Sequence, residues 1–367
     1  MYCCMLKPGF LGASSYIDSN RVVSQQMPSN TAAWIADAKS YPLEVKNAPT
    51  HVPGPNEILV RNCAVAVNHI DVMIQRSAFH PMNYPAIVGQ DVAGEVAAVG
   101  PGVTRFKKGD RILGHSILYA TLQSRDGAFQ RYTIVRTNLA SQLPDEMPFE
   151  DACVLPVGLS TAACALFQGT HLDLRLPTRM EAASTPTETV LIWGGSSSVG
   201  CNAIQLSVAA GYEVFATTSP QNFEFVRKLG ASQVFDYQER NVVNDLVHAL
   251  SGKTLAGALD AIGFAAAIAT AKVVEQCKGS KKMSTTLPVP AEIPIGVTAK
   301  HVRGDDLRDN HLGKAIYEDF LPEALERQAF VPAPKPVVVG EGLEKVQHAI
   351  DLLQKGVSAK KLVVIVS

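Results

Sequence analysis

The sequence predicts an α/β chain of two units, an all-β unit that is interrupted by a doubly wound parallel sheet and then resumed. Three observations predict it. Residues 30–140 carry many short β-like runs between Gly/Pro turns. Between residues 189 and 262, such runs alternate with helical patterns, which means βαβ units. The C-terminal stretch returns to the first style and closes on a strand. A length of 367 residues agrees with about two domains. The β unit is assigned to 28–153 and 311–367, the parallel-sheet unit to 154–310, and a loose, flexible extension to 1–27.

Within the β unit, Ala32–Ile35 reads as a short strand. Glu57–Val67 is a long β-like run after the turn residues Pro53-Gly54-Pro55. Asp91–Gly100 alternates apolar with small residues, and Lys108-Gly109-Asp110-Arg111 turns into a further strand. Phe149–Phe167 has helical spacing broken by Pro156, and the polar stretch 173–188 reads as a surface loop. Strands follow at 189–193, 212–218, 233–237 and 258–262, with helices at 201–210, 223–229 and 242–250. A further sheet-edge strand falls within 295–304. His311–Gln328 reads as one helix, Val337–Val339 as a strand, and Leu343–Gln354 as a helix capped by Gly356. Lys361–Val366 is the closing strand.

Composition narrows the function. The 33 basic and 34 acidic residues nearly cancel, so neither a basic stripe nor a nucleic-acid partner is expected. A hydrophobic fraction of 47% argues against disorder. No run of about 18 apolar residues stands out, so no membrane partner is expected. The 7 cysteines are scattered, without a CxxC pair, and read as reduced thiols of a cytoplasmic protein. Residues 1–27 lack the sustained apolar core of a signal peptide.

The strongest local motif is Gly194-Gly195-Ser196-Ser197-Ser198-Val199-Gly200, set between a strand and a helix. Gly194 suits the tight turn, small residues admit a pyrophosphate, and Gly200 permits close helix–strand packing. Ser197 stands where a G-x-G-x-x-G loop has its middle glycine. The second strand ends Thr217-Thr218-Ser219-Pro220-Gln221-Asn222, without the carboxylate that usually accepts the NAD ribose hydroxyls. Ser219, Asn222 and Tyr237 can donate to a 2′-phosphate, which points to NADPH. Alternatively, Ser219 only caps the following helix.

Several strings together resemble the medium-chain dehydrogenase/reductase superfamily. They are Val67-Asn68-His69-Ile70-Asp71, Gly89-Gln90-Asp91-Val92-Ala93-Gly94-Glu95-Val96, Lys108-Gly109-Asp110-Arg111, Gly127-Ala128-Phe129-Gln130-Arg131-Tyr132 and Leu155–Ala162. Gly263 after Leu259-Asp260-Ala261-Ile262 fits the family's D-x-x-G strand end. The resemblance implies a GroES-like β-barrel catalytic domain with an inserted Rossmann domain, and the joint order of the motifs covers about residues 30–367. The chain looks most like the quinone oxidoreductase and enoyl reductase branch, in particular fungal reductases of secondary metabolism.

Zinc enzymes of this superfamily carry Cys, His and Glu where Asn68, Gln90 and Asp91 stand. Amides are poor zinc ligands, so no metal is expected. Without zinc, alcohol oxidation lacks a Lewis acid, whereas hydride addition to a polarised C=C needs only proximity and donors to the enolate oxygen. The resemblance implies Asn68, His69, Asp71 and Thr161 as catalytic candidates, Thr161 at a helix start facing the cofactor. Phe79, Tyr84 and Phe129 are candidates for the substrate wall, with His115 and Tyr119 near it, and Ile262 joins the cofactor set. Bland readings stand beside these: Asn68 and Asp71 hold the domain junction, the histidines are structural, and the aromatics are core. Met73 and Phe79 replace a Lys and a Tyr that some relatives carry. The expected activity is NADPH-dependent reduction of a small-molecule or carrier-bound enoyl or enone. The alternatives are a non-catalytic NADPH-binding partner protein and a zinc-free ketone/alcohol dehydrogenase. Lys300 and Arg303, on or beside the edge strand, favour a monomer over a homodimer.

Overall fold

The computed structural model describes residues 28–177 and 187–366. The extension 1–27 and residues 178–186 of the expected surface loop lie outside the described residues. The β unit is a seven-stranded sheet flanked by a three-stranded one. Its order runs Lys335–Glu341, Lys360–Ile365, Glu57–Ala66, Asp91–Val99, Arg111–His115 and Ala140–Gln142, with Tyr132–Arg136 also on Glu57–Ala66. Glu57–Ala66 serves two partners on one edge. Its first half pairs with Tyr132–Arg136, and residues 64–66 pair with the closing strand. Two irregularities, at Leu59/Val60 and Asn62/Ala64, supply the bend this switch requires. Beside it lies a three-stranded sheet of Asn30–Ile35, Glu44–Ala48 and Ala86–Ile87. Glu44–Ala48 escaped the sequence reading because it is a largely exposed edge strand without an apolar face.

The inserted unit is a six-stranded parallel sheet. In order along the chain its strands are Thr189–Trp193, Glu213–Thr218, Gln233–Asp236, Leu255–Asp260, Lys282–Thr285 and Thr298–His301. In space they run 3-2-1-4-5-6, so the order reverses between the first and the fourth. A ligand crevice opens outside the carboxyl ends of the strands at such a point. Thr298–His301 is the outermost strand, and Lys300 is exposed on it.

Two helical pieces, Phe149–Ala152 and Pro156–Phe167, join the units. By length and composition Phe149–Phe167 qualifies as a membrane span, which the sequence reading did not anticipate, but 78% of its apolar window is buried inside the protein. Gly158 lies so close to the helix Ser198–Ala209 that a Cβ would meet Ser198 Oγ at 2.5 Å. The expected single helix 311–328 is three segments: His311–Lys314, a π-helical Ala315–Phe320, and Leu321–Glu326. Pro322, second in the last segment, has no N–H to give and crowds the preceding turn, which favours the wider register before it. Tyr317 sits in that segment, fully buried.

Candidate active site

The phosphate loop is built from its own backbone. Gly194 has φ +85°, a value that only glycine adopts easily, and Ile262 covers the place where a Cβ would project. Ser197 caps the helix Ser198–Ala209. Its Oγ donates to the Gly194 carbonyl (2.8 Å) and accepts from the Gly200 N–H (3.0 Å). The helix therefore starts three residues earlier than the sequence reading placed it. Among the described residues, the N–H groups of Ser196, Ser198 and Val199 have no partner, which leaves them for an anion. Gly195 packs under Ala216, Ile204 and Val226, and a Cβ on Gly200 would collide with the Gly194 carbonyl oxygen at 2.2 Å. Ile262 is half-exposed on the opposite wall. Its turn is held by Asp260, whose carboxylate accepts from the N–H of Ile262 (3.0 Å) and of Gly263 (2.9 Å) and from Thr285 Oγ1 (2.8 Å).

At the end of the second strand, hydroxyls and amides cluster. Asn222 Nδ2 donates to Ser219 Oγ (3.0 Å) and to Ser358 Oγ (3.0 Å), and Thr218 Oγ1 donates to Ser196 Oγ (2.7 Å). Ser219 does not cap the turn Pro220–Asn222 with its side chain, so its hydroxyl stays available. Tyr237 is 47% exposed at the same sheet end. Asp236, in register with Thr218, accepts the Gln238 N–H at 2.9 Å. Ser358 comes from the β unit, and sequence reasoning missed it because it lies 136 residues from Asn222.

On the β-unit side, two buried polar chains meet the linker helix. The first centres on Asp91, which is fully buried. Its Oδ1 accepts the Val157 N–H (2.7 Å), and its Oδ2 accepts Asn68 Nδ2 (2.8 Å) and Lys361 Nζ (2.9 Å). Lys361 also donates to Asn68 Oδ1 at 2.5 Å. Asp71 takes the Asn68 N–H (2.8 Å) and the Tyr119 hydroxyl (2.7 Å). Burial pushes the Asp71 carboxyl up to about 6, against the pull of the Tyr119 and Asn68 hydrogen bonds. In the second chain, Gln90 Nε2 lies 3.2 Å from His115 Nε2, and His115 Nδ1 lies 2.9 Å from Ser160 Oγ. Ser160 Oγ is 2.7 Å from the Tyr317 hydroxyl, which donates to the Pro156 carbonyl at 2.9 Å. With Gln90 donating to Nε2, His115 carries its proton on Nδ1 and every hydroxyl in the chain has a donor direction. Burial lowers the His115 pKa, which favours that neutral form.

The predicted residues separate into three groups. Asn68 lies at the polar cluster, and His69 beside it is solvent-accessible. Desolvation by the surrounding chain and then the Lys361 charge lower its pKa. Phe79 is exposed, and Tyr84 keeps a buried hydroxyl that has no partner among the described residues. Asp71 is wholly buried and holds the start of the helix His69–Ser77 rather than facing a ligand. Phe129 leaves the substrate wall: it is completely buried, and its ring covers Gly89 so closely that a Cβ there would sit 2.5 Å from it. Thr161 is not at a helix start; it is the sixth residue of Pro156–Phe167, packed against Gly304. His115 and Tyr119 are likewise buried.

Lys361 was missed. The legible signal was parity, since it shares a strand face with Val363 and Ile365, both packed in the core between the units. A separate cavity of about 320 Å³, lined by residues including His171, Lys282 and Lys300, lies at the outer strands of the parallel sheet, away from these groups. Among the described residues, no three His, Cys, Asp or Glu side chains converge to hold a metal ion.

Comparison with known proteins places this arrangement in context. Residues 54–145 match the alcohol dehydrogenase GroES-like domain, and residues 198–285 match the zinc-binding dehydrogenase family. The zinc-binding alcohol dehydrogenase domain-containing protein cipB of Emericella nidulans is 53% identical over 92% of this chain and 98% of its own length. The trans-enoyl reductase himH of Aspergillus japonicus is 39% identical over 92% of this chain and 98% of its own. An alcohol dehydrogenase superfamily protein from Novosphingobium aromaticivorans shares the fold, with a TM-score of 0.76 at 24% identity over 92% of this chain and 100% of its own.

Proposed function

This chain belongs to the medium-chain dehydrogenase/reductase superfamily, and from that premise we propose that it is an NADPH-dependent, zinc-independent reductase of activated C=C bonds. The substrate is a small-molecule or carrier-bound enoyl or enone of fungal secondary metabolism. The observation that carries the reading is the Asn68–Asp91–Lys361 cluster beside the helix that packs on the phosphate loop.

Zinc does not suit this cluster. Asp91 already neutralises the Lys361 ammonium, Gln90 commits its amide to His115, and Asn68 is a weak donor to a metal. Purified protein should hold well under one zinc per chain by elemental analysis, and stoichiometric bound zinc would refute this.

Nicotinamide fits. The N–H groups of Ser196, Ser198 and Val199 would hold the pyrophosphate. Ser219, Ser358 and Tyr237 would donate to the 2′-phosphate, and Asn222, which donates to the Ser219 and Ser358 hydroxyls, would orient them. The reduced cofactor supplies a hydride when bound. An Asn68 N–H donates to the oxygen that gains charge as the double bond is reduced. Lys361, paired with Asp91, orients the Asn68 amide, and the α-carbon takes its proton from water at the solvent-exposed His69. Loss of NADPH absorbance with a panel of enones and quinones tests the reading. NADPH binding without turnover on any acceptor would overturn it in favour of a cofactor-binding partner protein. Ser219→Asp should weaken NADPH relative to NADH by about 10- to 100-fold, through repulsion worth roughly 1–3 kcal/mol.

A further inference from the structure

We propose that Lys361 is a positioning residue, which clamps the Asn68 amide in one orientation so that a single Nδ2–H is left to donate to the acceptor oxygen. The inference rests on the reductase reading and names what sets its donor.

Asn68 has two ways to sit. In the observed one, Oδ1 faces the Lys361 ammonium at 2.5 Å and Nδ2 faces the Asp91 carboxylate at 2.8 Å. A flipped amide would put N–H groups against an ammonium and a carbonyl against a carboxylate, so both contacts would turn repulsive. Charge therefore selects the rotamer, where shape alone barely distinguishes O from NH2. Burial sharpens the choice: the Lys361 side chain is 6% exposed and that of Asp91 is 0% exposed. The backbone of Asn68 is fixed as well, since its N–H donates to Asp71 at 2.8 Å. Of the two Nδ2 hydrogens, one is used by Asp91 and the other has no acceptor among the described residues. The strand Lys360–Ile365 thus delivers, from the far end of the chain, the cation that orients a residue 293 positions earlier.

The test uses Lys361→Met, Lys361→Arg and the neutral double variant Lys361→Met/Asp91→Asn. The double variant removes the uncompensated buried carboxylate while allowing the Asn68 amide to adopt either orientation. Lys361→Met should lower kcat about 100-fold, the scale of one lost oxyanion donor, with KM and NADPH affinity within about twofold. Lys361→Arg keeps the charge and should retain activity within about tenfold of the parent. The double variant should recover the parent's melting temperature but stay about 100-fold low in kcat. In parallel, the Asn68 side-chain amide pair in ¹H–¹⁵N spectra should be a single slow-exchanging pair in the parent, and doubled or broadened in both Met variants. A double variant with parental kcat, or an Asn68 signal unchanged by Lys361→Met, would overturn the proposal. The amide signal reads the clamp even if the parent reduces no acceptor, so failure of the reductase reading is told apart from failure of this one.

Discussion

The phosphate loop and the Asn68–Asp91–Lys361 cluster belong to one candidate site and are built in opposite ways. The loop is seven contiguous residues whose backbone makes the site. Its side chains are small; Ser197 bonds within the loop to Gly194 and Gly200, and Ser196 accepts from Thr218. The cluster is three side chains from three strand or helix ends, 23 and 293 residues apart along the chain, held by charge. A site made of backbone is limited by volume, so it fails when atoms are added. A site made of buried charge is limited by pairing, so it fails when one partner is removed.

The largest effect should therefore come from the cluster. Asp91→Ala strands the Lys361 ammonium, Asn68 Nδ2 and the Val157 N–H in a buried place, and should cost about 3–5 kcal/mol in urea unfolding. A cost below that of adding atoms to the loop would break the comparison. Next is the pH dependence of the neighbouring carboxyl. Asp71 rises from its ordinary 3.8 to about 6 when folded, so the folded chain holds that proton more tightly than the unfolded chain. Its contribution is fully present below about pH 4 and lost as pH rises through 6, a fall of roughly 2–3 kcal/mol. Denaturation across that window should show the fall in the parent, and Asp71→Asn should flatten it. An identical slope in both proteins would assign the titration elsewhere. The loop variant comes last: Gly200→Val drives a side chain into the Gly194 carbonyl, at about 1–3 kcal/mol of overpacking. Because the backbone that binds phosphate must move, NADPH affinity should drop by more than stability does. Fluorescence titration alongside thermal melting separates the two.

Legibility followed the same division. Ser219 and Asn222 were readable because they follow directly from the end of a strand, whereas Ser358, which bonds to Asn222, was not. Phe129 misled because an aromatic in a Gly-rich string reads equally as wall or core, and here it fills the space over Gly89. Asp71 reads from the sequence either as catalytic or as holding the junction, and its burial with bonds from Tyr119 and Asn68 favours the holding role.

By itself, the sequence determined the alternation of strands and helices, the β unit split by the inserted sheet, and the glycine turn of the phosphate loop. Each depends on contiguous residues, whose period and permitted φ values act over a few positions. The tertiary structure alone decided the 3-2-1-4-5-6 strand order, the burial of Phe129, and the meeting of Asn68, Asp91 and Lys361. Strand parity marks Lys361 as facing the core between the units, but its partners depend on how the closing strand registers against Glu57–Ala66. That register is set by packing of the whole sheet, and the strength of a charge pair depends on the burial that the packing creates.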